Sequence, residues 1–117
     1  MRDPDNMGMT EHALCQLDDI DDGGSAGFEI AGKLVMAIRQ GERVFAYVNS
    51  CPHVGTPLDM WPGRFLTKDG EFILCATHGA LFRIEDGHCI AGPCVGRNLT
   101  ALETRVENGA VNIFKND

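Results

Sequence analysis

Two short segments hold most of the residues able to do chemistry. One is Cys51-Pro52-His53-Val54-Gly55-Thr56-Pro57-Leu58, and the other is Cys75-Ala76-Thr77-His78-Gly79-Ala80-Leu81-Phe82. Each supplies one thiol and one imidazole. Cys51, His53, Cys75 and His78 together make a complete four-donor set for metal. Ligand type and spacing alone leave a structural zinc ion open as the occupant. Gly55 and Gly79 let the main chain approach closely and reach positive φ. Pro52 and Pro57 stiffen the first loop.

The residues around these donors resemble the Rieske [2Fe–2S] family, whose two boxes read C-x-H and C-x-x-H. The match extends to the Gly that follows each His, Pro57-Leu58, Phe82 and the downstream Gly92-Pro93, and it covers roughly residues 13 to 115. The resemblance implies one [2Fe–2S] cluster, with Cys51 and Cys75 on the inner iron and His53 and His78 on the outer one. Amide N–H groups of the loops could then point at the sulfides. Four thiolates would leave the oxidised cluster at about −2, whereas two thiolates and two neutral imidazoles leave it near zero. A neutral centre accepts an electron more readily, which places such clusters at roughly −150 to +300 mV. The free imidazole nitrogen can face water, conduct the electron outward and take up a proton.

High-potential members of that family carry an extra Cys in each box, joined as a disulfide. Thr56 and Thr77 stand at those positions here. Those members also place a Ser after the box-two Gly, where this chain has Ala80. With fewer donors to the cluster, the resemblance implies a potential in the lower part of the Rieske range.

The function implied is a soluble ferredoxin, an electron carrier rather than an enzyme. It would pass single electrons from a flavin-dependent reductase to a terminal oxygenase or similar acceptor. An oxygenase component would need a second, mononuclear iron with two His and a carboxylate. Only His12 and His88 remain outside the boxes. A respiratory Rieske subunit would need a membrane anchor and the extra Cys pair. A small subunit like that of assimilatory nitrite reductase shares the fold and stays open. A zinc-held interaction module remains the alternative of a different class.

Composition narrows the setting. At 117 residues the chain is sized for one domain, and its 44% hydrophobic share fits a globular protein. Net charge is −7, from seventeen acidic and ten basic residues, and no basic stripe for nucleic acid stands out. An acidic surface suits docking onto a basic patch of a redox partner. The longest apolar run, Leu34-Val35-Met36-Ala37-Ile38, is strand-sized and far short of a membrane span of about 20 residues. Met1 to Asn6 lacks the apolar core of a signal peptide, so the expectation is a cytoplasmic protein with no membrane contact. A reducing compartment keeps the five cysteines as thiols or ligands.

The positioning elements read as β-structure throughout. Residues 1–12 are a polar tail, and 13–117 form the Rieske domain, with a cluster-binding subdomain at about 49–83. Ala13–Leu17 and Phe28–Ile30 read as short strands. Lys33–Arg39 and Arg43–Val48 form a hairpin that delivers the chain to Cys51. Arg64–Leu66 and Glu71–Leu74, split by Asp69-Gly70, form a second that delivers it to Cys75. Leu81–Ile84 with His88–Ile90, and Thr100–Val106 with Ala110–Phe114, complete the set. No segment has a convincing helical period. The fold class is therefore all-β, an antiparallel sandwich or barrel with a small cluster-binding subdomain.

Twenty-one residues separate His53 from Cys75, a gap longer than usual for the family. The extra length extends the loop carrying Trp61. Asp18, Asp19, Asp21 and Asp22 form a solvated acidic turn, since the spacing fails that of a calcium loop. Cys15 and Cys89 read as small buried strand residues. His12 falls in or beside the tail, and His88 on a surface strand. By resemblance, Gly92-Pro93-Cys94-Val95-Gly96 is the proline loop that lies over the cluster, which brings Cys94 close to it.

Overall fold

Val35, Met36, Ala37 and Ile38 are four consecutive buried residues in one strand. Successive side chains of a strand point to opposite faces, so this strand has a core on each side. The computed structural model describes residues 9–52, 57–59, 64–75 and 79–116. It contains two antiparallel sheets, and among the described residues the only helical element is a 3₁₀ turn at Leu17–Asp19.

The larger sheet has the order β1-β9-β8-β4-β3-β2. Its strands are β1 (Met9–Gln16), β2 (Ser25–Ile30), β3 (Lys33–Gln40), β4 (Arg43–Val48), β8 (Ala101–Glu107) and β9 (Ala110–Asn116). The smaller sheet has the order β5-β6-β7, from Phe72–Leu74, Leu81–Arg83 and Cys89–Ala91. The β3–β4 hairpin pairs Gln40 with Arg43 and Val35 with Val48, matching the sequence expectation closely. The β8–β9 hairpin closes through Asn108-Gly109, with Glu107 paired to Ala110.

The period of two sorts the side chains. Val35 and Ala37 of β3, with Val44 and Ala46 of β4, pack with Ile20, Val111 and Ile113 beneath the sheet. Met36, Ile38, Phe45 and Tyr47 face the other way, into a core that also contains Cys51, Leu58, Phe65, Ile73, Cys75 and Phe82. The second core joins the two sheets, so both box cysteines are packed against the base itself. Tyr47 adds a polar tether across it, its hydroxyl donating to the Ile84 carbonyl.

Several expected boundaries differ. The first strand starts at Met9 instead of Ala13, so residues 9–12, placed in the tail from sequence, pair with β9 at Asn116 to Ile113. Edge pairing needs only main-chain partners, and Thr10-Glu11-His12 offers no apolar pattern to reveal it. A bulge between Ala13 and Cys15 further blurs the alternation. Arg64–Leu66 does not form a strand. It makes one bridge, Leu66 to Ile73, besides the Leu74 N–H bond to the Phe65 carbonyl at 2.7 Å. The smaller sheet takes its third strand from 89–91, beyond the expected subdomain limit at residue 83.

Candidate metal centre

β4 delivers the chain to box one, and one side chain closes the loop. Asn49, the one buried polar residue among those described, accepts from the Leu58 N–H at 2.7 Å through Oδ1. Its Nδ2 donates to Asp59 Oδ1 at 2.9 Å. The strand end beneath is fixed by the Asn49 N–H on the Leu34 carbonyl and the Val48 N–H on the Thr100 carbonyl, both 2.9 Å. From the far side, the Arg97 guanidinium donates to the Pro52 carbonyl at 2.9 Å.

Box two sits on the β5–β6 hairpin, whose last pair is Leu74 with Leu81. The Cys75 N–H then bonds the Ala80 carbonyl at 2.9 Å, and the Gly79 N–H bonds the Cys75 carbonyl at 2.8 Å. Gly79 has φ +71, a left-handed turn that a Cβ would strain. The Gly79 amide is committed to the main chain.

Cys51 and Cys75 are 1% and 0% exposed, in one apolar core. His53 and His78 lie outside the described residues, as do Gly55, Thr56, Trp61 and Thr77. Among the described residues, no group of three or more His, Cys, Asp or Glu comes together as a metal site. Two thiolates buried without a cation would be costly to charge. The positive charge of a metal centre removes that cost, so the sulfur half of the donor set fits such a group.

The turn at Gly92–Gly96 packs against box two, and Arg97 just beyond it reaches box one. A Cβ on Gly92 would stand 2.7 Å from the Ala80 Cα, so only glycine lets the two main chains approach this closely. The turn is held by the Gly96 N–H on the Cys89 carbonyl at 3.2 Å and the Arg97 N–H on the Cys94 carbonyl at 2.9 Å. Cys94 Sγ lies 3.3 Å from Cys89 Sγ. Burial, then the neighbouring Cys89 and Cys51 sulfurs, push the Cys94 thiol up to about 12.

Other residues singled out from sequence have plainer places. Cys15 is half-buried on β1, and burial, with Asp19 nearby, raises its thiol. The His88 ring Nδ1 meets Asn98 Oδ1 at 2.7 Å, and the His88 main-chain N–H donates to Asp86 Oδ1 at 3.0 Å. The acidic turn is used for local bonds: Asp19 accepts from the Gln16 N–H, and Asp22 from the Gly41 N–H. Sequence reasoning missed Asn49 and Arg97. A polar residue ending the apolar run Val44–Val48, two before Cys51, was the available signal for Asn49. Arg97 gave none.

Comparison with known proteins gives a family and a fold. The model of the Rieske [2Fe-2S] domain matches residues 10–114. No curated protein matches the sequence. Among solved structures, the ferredoxin of carbazole 1,9a-dioxygenase from Nocardioides aromaticivorans IC177 is 28% identical, with a TM-score of 0.74. The alignment covers 89% of this chain and 96% of that one. A complex of reduced oxygenase and oxidized ferredoxin in carbazole 1,9a-dioxygenase matches at 24% identity and TM-score 0.72, over 88% of this chain and 91% of that one. The terminal oxygenase from N. aromaticivorans IC177 matches at 22% identity and TM-score 0.77, over 92% of this chain but 30% of its own. No helix among the described residues is long and apolar enough to cross a membrane.

Proposed function

This chain belongs to the Rieske [2Fe–2S] domain family, so its cofactor is a [2Fe–2S] cluster and its chemistry is single-electron transfer; we propose that it serves as a ferredoxin between a flavin-dependent reductase and a terminal oxygenase. The observation that carries this reading is the end-to-end likeness to a dioxygenase ferredoxin, over 96% of that chain. The zinc-held module falls with the family match. The chain itself carries out no catalysis in this reading.

Cys51 and Cys75 would hold the cluster through sulfur, and His53 and His78 through nitrogen. A bound cluster takes up one electron and gives it back. The chain's own residues set the conditions for that. Leu58, Phe65, Ile73 and Phe82 keep water from the two sulfurs. Asn49 fixes the box-one loop and the Cys75–Ala80 bond fixes box two, so little reorganises when charge changes. Ala80 is buried and its methyl cannot donate a hydrogen bond, which supports a potential low in the Rieske range.

The test begins with anaerobic purification and a count of iron and acid-labile sulfide. Two of each per chain are expected, with the red-brown colour of a Rieske centre; their absence sinks the reading. Stopped-flow mixing of the reduced protein with a terminal oxygenase should oxidise the carrier in a single phase. His78→Cys should move the spectrum toward that of an all-thiolate cluster. An unchanged spectrum and midpoint would remove His78 from the ligand set.

A further inference from the structure

Cys89 and Cys94 are two thiols that the four-donor set does not use. They are 0% and 1% exposed, and their Sγ atoms lie 3.3 Å apart. A disulfide bond is about 2.05 Å long, so about 1.3 Å of closure separates this pair from one. The main chain holds the two residues together. The Cys89 N–H bonds the Arg97 carbonyl at 2.8 Å, and the Gly96 N–H bonds the Cys89 carbonyl at 3.2 Å. The Arg97 N–H returns to the Cys94 carbonyl at 2.9 Å. Cys94 is thereby folded back over Cys89, and neither sulfur has to search for the other.

The surroundings select a small reactant and an order of attack. Gly92, Pro93, Val95 and Gly96 are exposed, and Cys94 between them is buried. Cys89 lies within β7, with its S–H on the Ala91 carbonyl at 3.2 Å. A small uncharged oxidant therefore meets Cys94 first, when the exposed turn opens locally. Burial keeps the Cys94 thiol protonated at rest, so the reaction waits on that opening.

We propose that Cys89 and Cys94 are a thiol–disulfide couple, oxidised by a hydroperoxide to a bond that latches the turn beside box two onto β7. Cys94 Sγ attacks a peroxide oxygen. The S–O bond of a sulfenic acid forms, the O–O bond breaks, and hydroxide leaves as water with the thiol proton. Cys89 Sγ then attacks the Cys94 sulfur. The S–S bond forms, the S–O bond breaks, and a second water carries off the Cys89 proton. The two sulfurs lose two electrons, and the peroxide gains them. In a reducing compartment the dithiol is the resting form and the disulfide is transient. Gly92 of the turn lies so close to Ala80 that a Cβ would stand 2.7 Å from the Ala80 Cα, so the bond fixes a segment in contact with box two.

The test is peptide mapping of the cluster-loaded protein. Trypsin releases both thiols in one peptide, Ile84–Arg97, which contains no other cysteine. After hydrogen peroxide, unfolding in an alkylating agent and digestion, that peptide should be two hydrogens lighter and carry no alkyl group. A reductant added before the alkylating agent should restore alkylation of both thiols. A doubly alkylated peptide after peroxide overturns the proposal, and so does one that gains oxygen without a sulfur–sulfur bond. Iron content, read on the same samples, should hold while the bond forms. A bond that appears only as iron is lost overturns the proposal, because the pair then reacts in a chain already opened. Hydrogen exchange reads the latch. The Gly96 and Arg97 amides should exchange more slowly in the oxidised protein, and unchanged rates overturn the latch.

Discussion

The two cysteine loops are closed by different means. Box one, from Asn49 to Asp59, is held by side chains: Asn49 across its base and Arg97 at its Pro52 carbonyl. Box two, from Leu74 to Leu81, is held by main chain: a strand pair, the Cys75–Ala80 bond and the Gly79–Cys75 bond. Length and proline content account for the difference. Pro52 and Pro57 have no N–H to give, and the described residues of the first loop, Cys51, Pro52 and Pro57 to Asp59, belong to no strand. A buried amide therefore does for box one what a ladder does for box two. The lesson is that one loop depends on the identity of a side chain, and the other on the absence of one.

The strongest way to break the comparison is Gly92→Ala. Its Cβ would press on the main chain of Ala80 at 2.7 Å, from a residue at φ +95. Strain and overpacking together should cost about 3 kcal/mol. Iron content per chain and melting temperature should both fall. A variant that loads and melts like the wild type would show that box two has slack the geometry denies.

Asn49→Ala comes next. It leaves the buried Leu58 N–H without its acceptor, at about 2 kcal/mol. The cluster should bleach faster in the presence of a chelator. Hydrogen exchange at Leu58 should accelerate while that at Cys75 stays slow. Equal acceleration at both amides would mean that the loops open together.

Tyr47 tests the core that both boxes share. Burial, then Asp86 and Glu85, push its phenol up to about 12 from an ordinary 10. The neutral phenol is the native form, so its contribution is complete below pH 10 and is lost as pH rises through about 12. Tyr47→Phe should lose about 1 kcal/mol at neutral pH, the worth of the bond to Ile84. Its melting temperature should also fall less than the wild type's between about pH 10 and 12. Parallel pH profiles would refute this account of Tyr47.

The smallest effect belongs to Gly79→Ala. Nothing lies within 4 Å of a Cβ there, so the cost is the positive φ alone, about 1 kcal/mol. The midpoint should not move, because the Gly79 amide bonds Cys75 O and no donor to the cluster is lost. A shifted midpoint would show that this amide turns to the cluster instead.

The hairpins around the boxes were legible because their turns and alternation are local. Lys33–Gln40 with Arg43–Val48 matched to within a residue. The Met9 start of β1 was not legible, since polar residues at a sheet edge carry no period. Arg64–Leu66 misled in the other direction, because apolar residues beside a turn look like a strand whether or not a ladder forms. At the site, the reading of Cys51 and Cys75 depended on motif and spacing, and the structure places both thiols in one core. The partners that hold them were hidden. Asn49 and Leu58 are nine residues apart, and Arg97 lies 45 residues from Pro52.

By itself the sequence determined the order of the two boxes and the antiparallel hairpins of the larger sheet. Those depend on residue type and on spacings of a few residues, which local chemistry enforces. Only the tertiary structure decided that Gly79 spends its amide on Cys75, that Asn49 closes the first loop, and that Cys94 meets Cys89. Each of these is an allocation of a hydrogen-bonding group among competing partners. Such an allocation is settled only when distant segments pack and water is gone, because only then does an unspent donor or acceptor carry a cost.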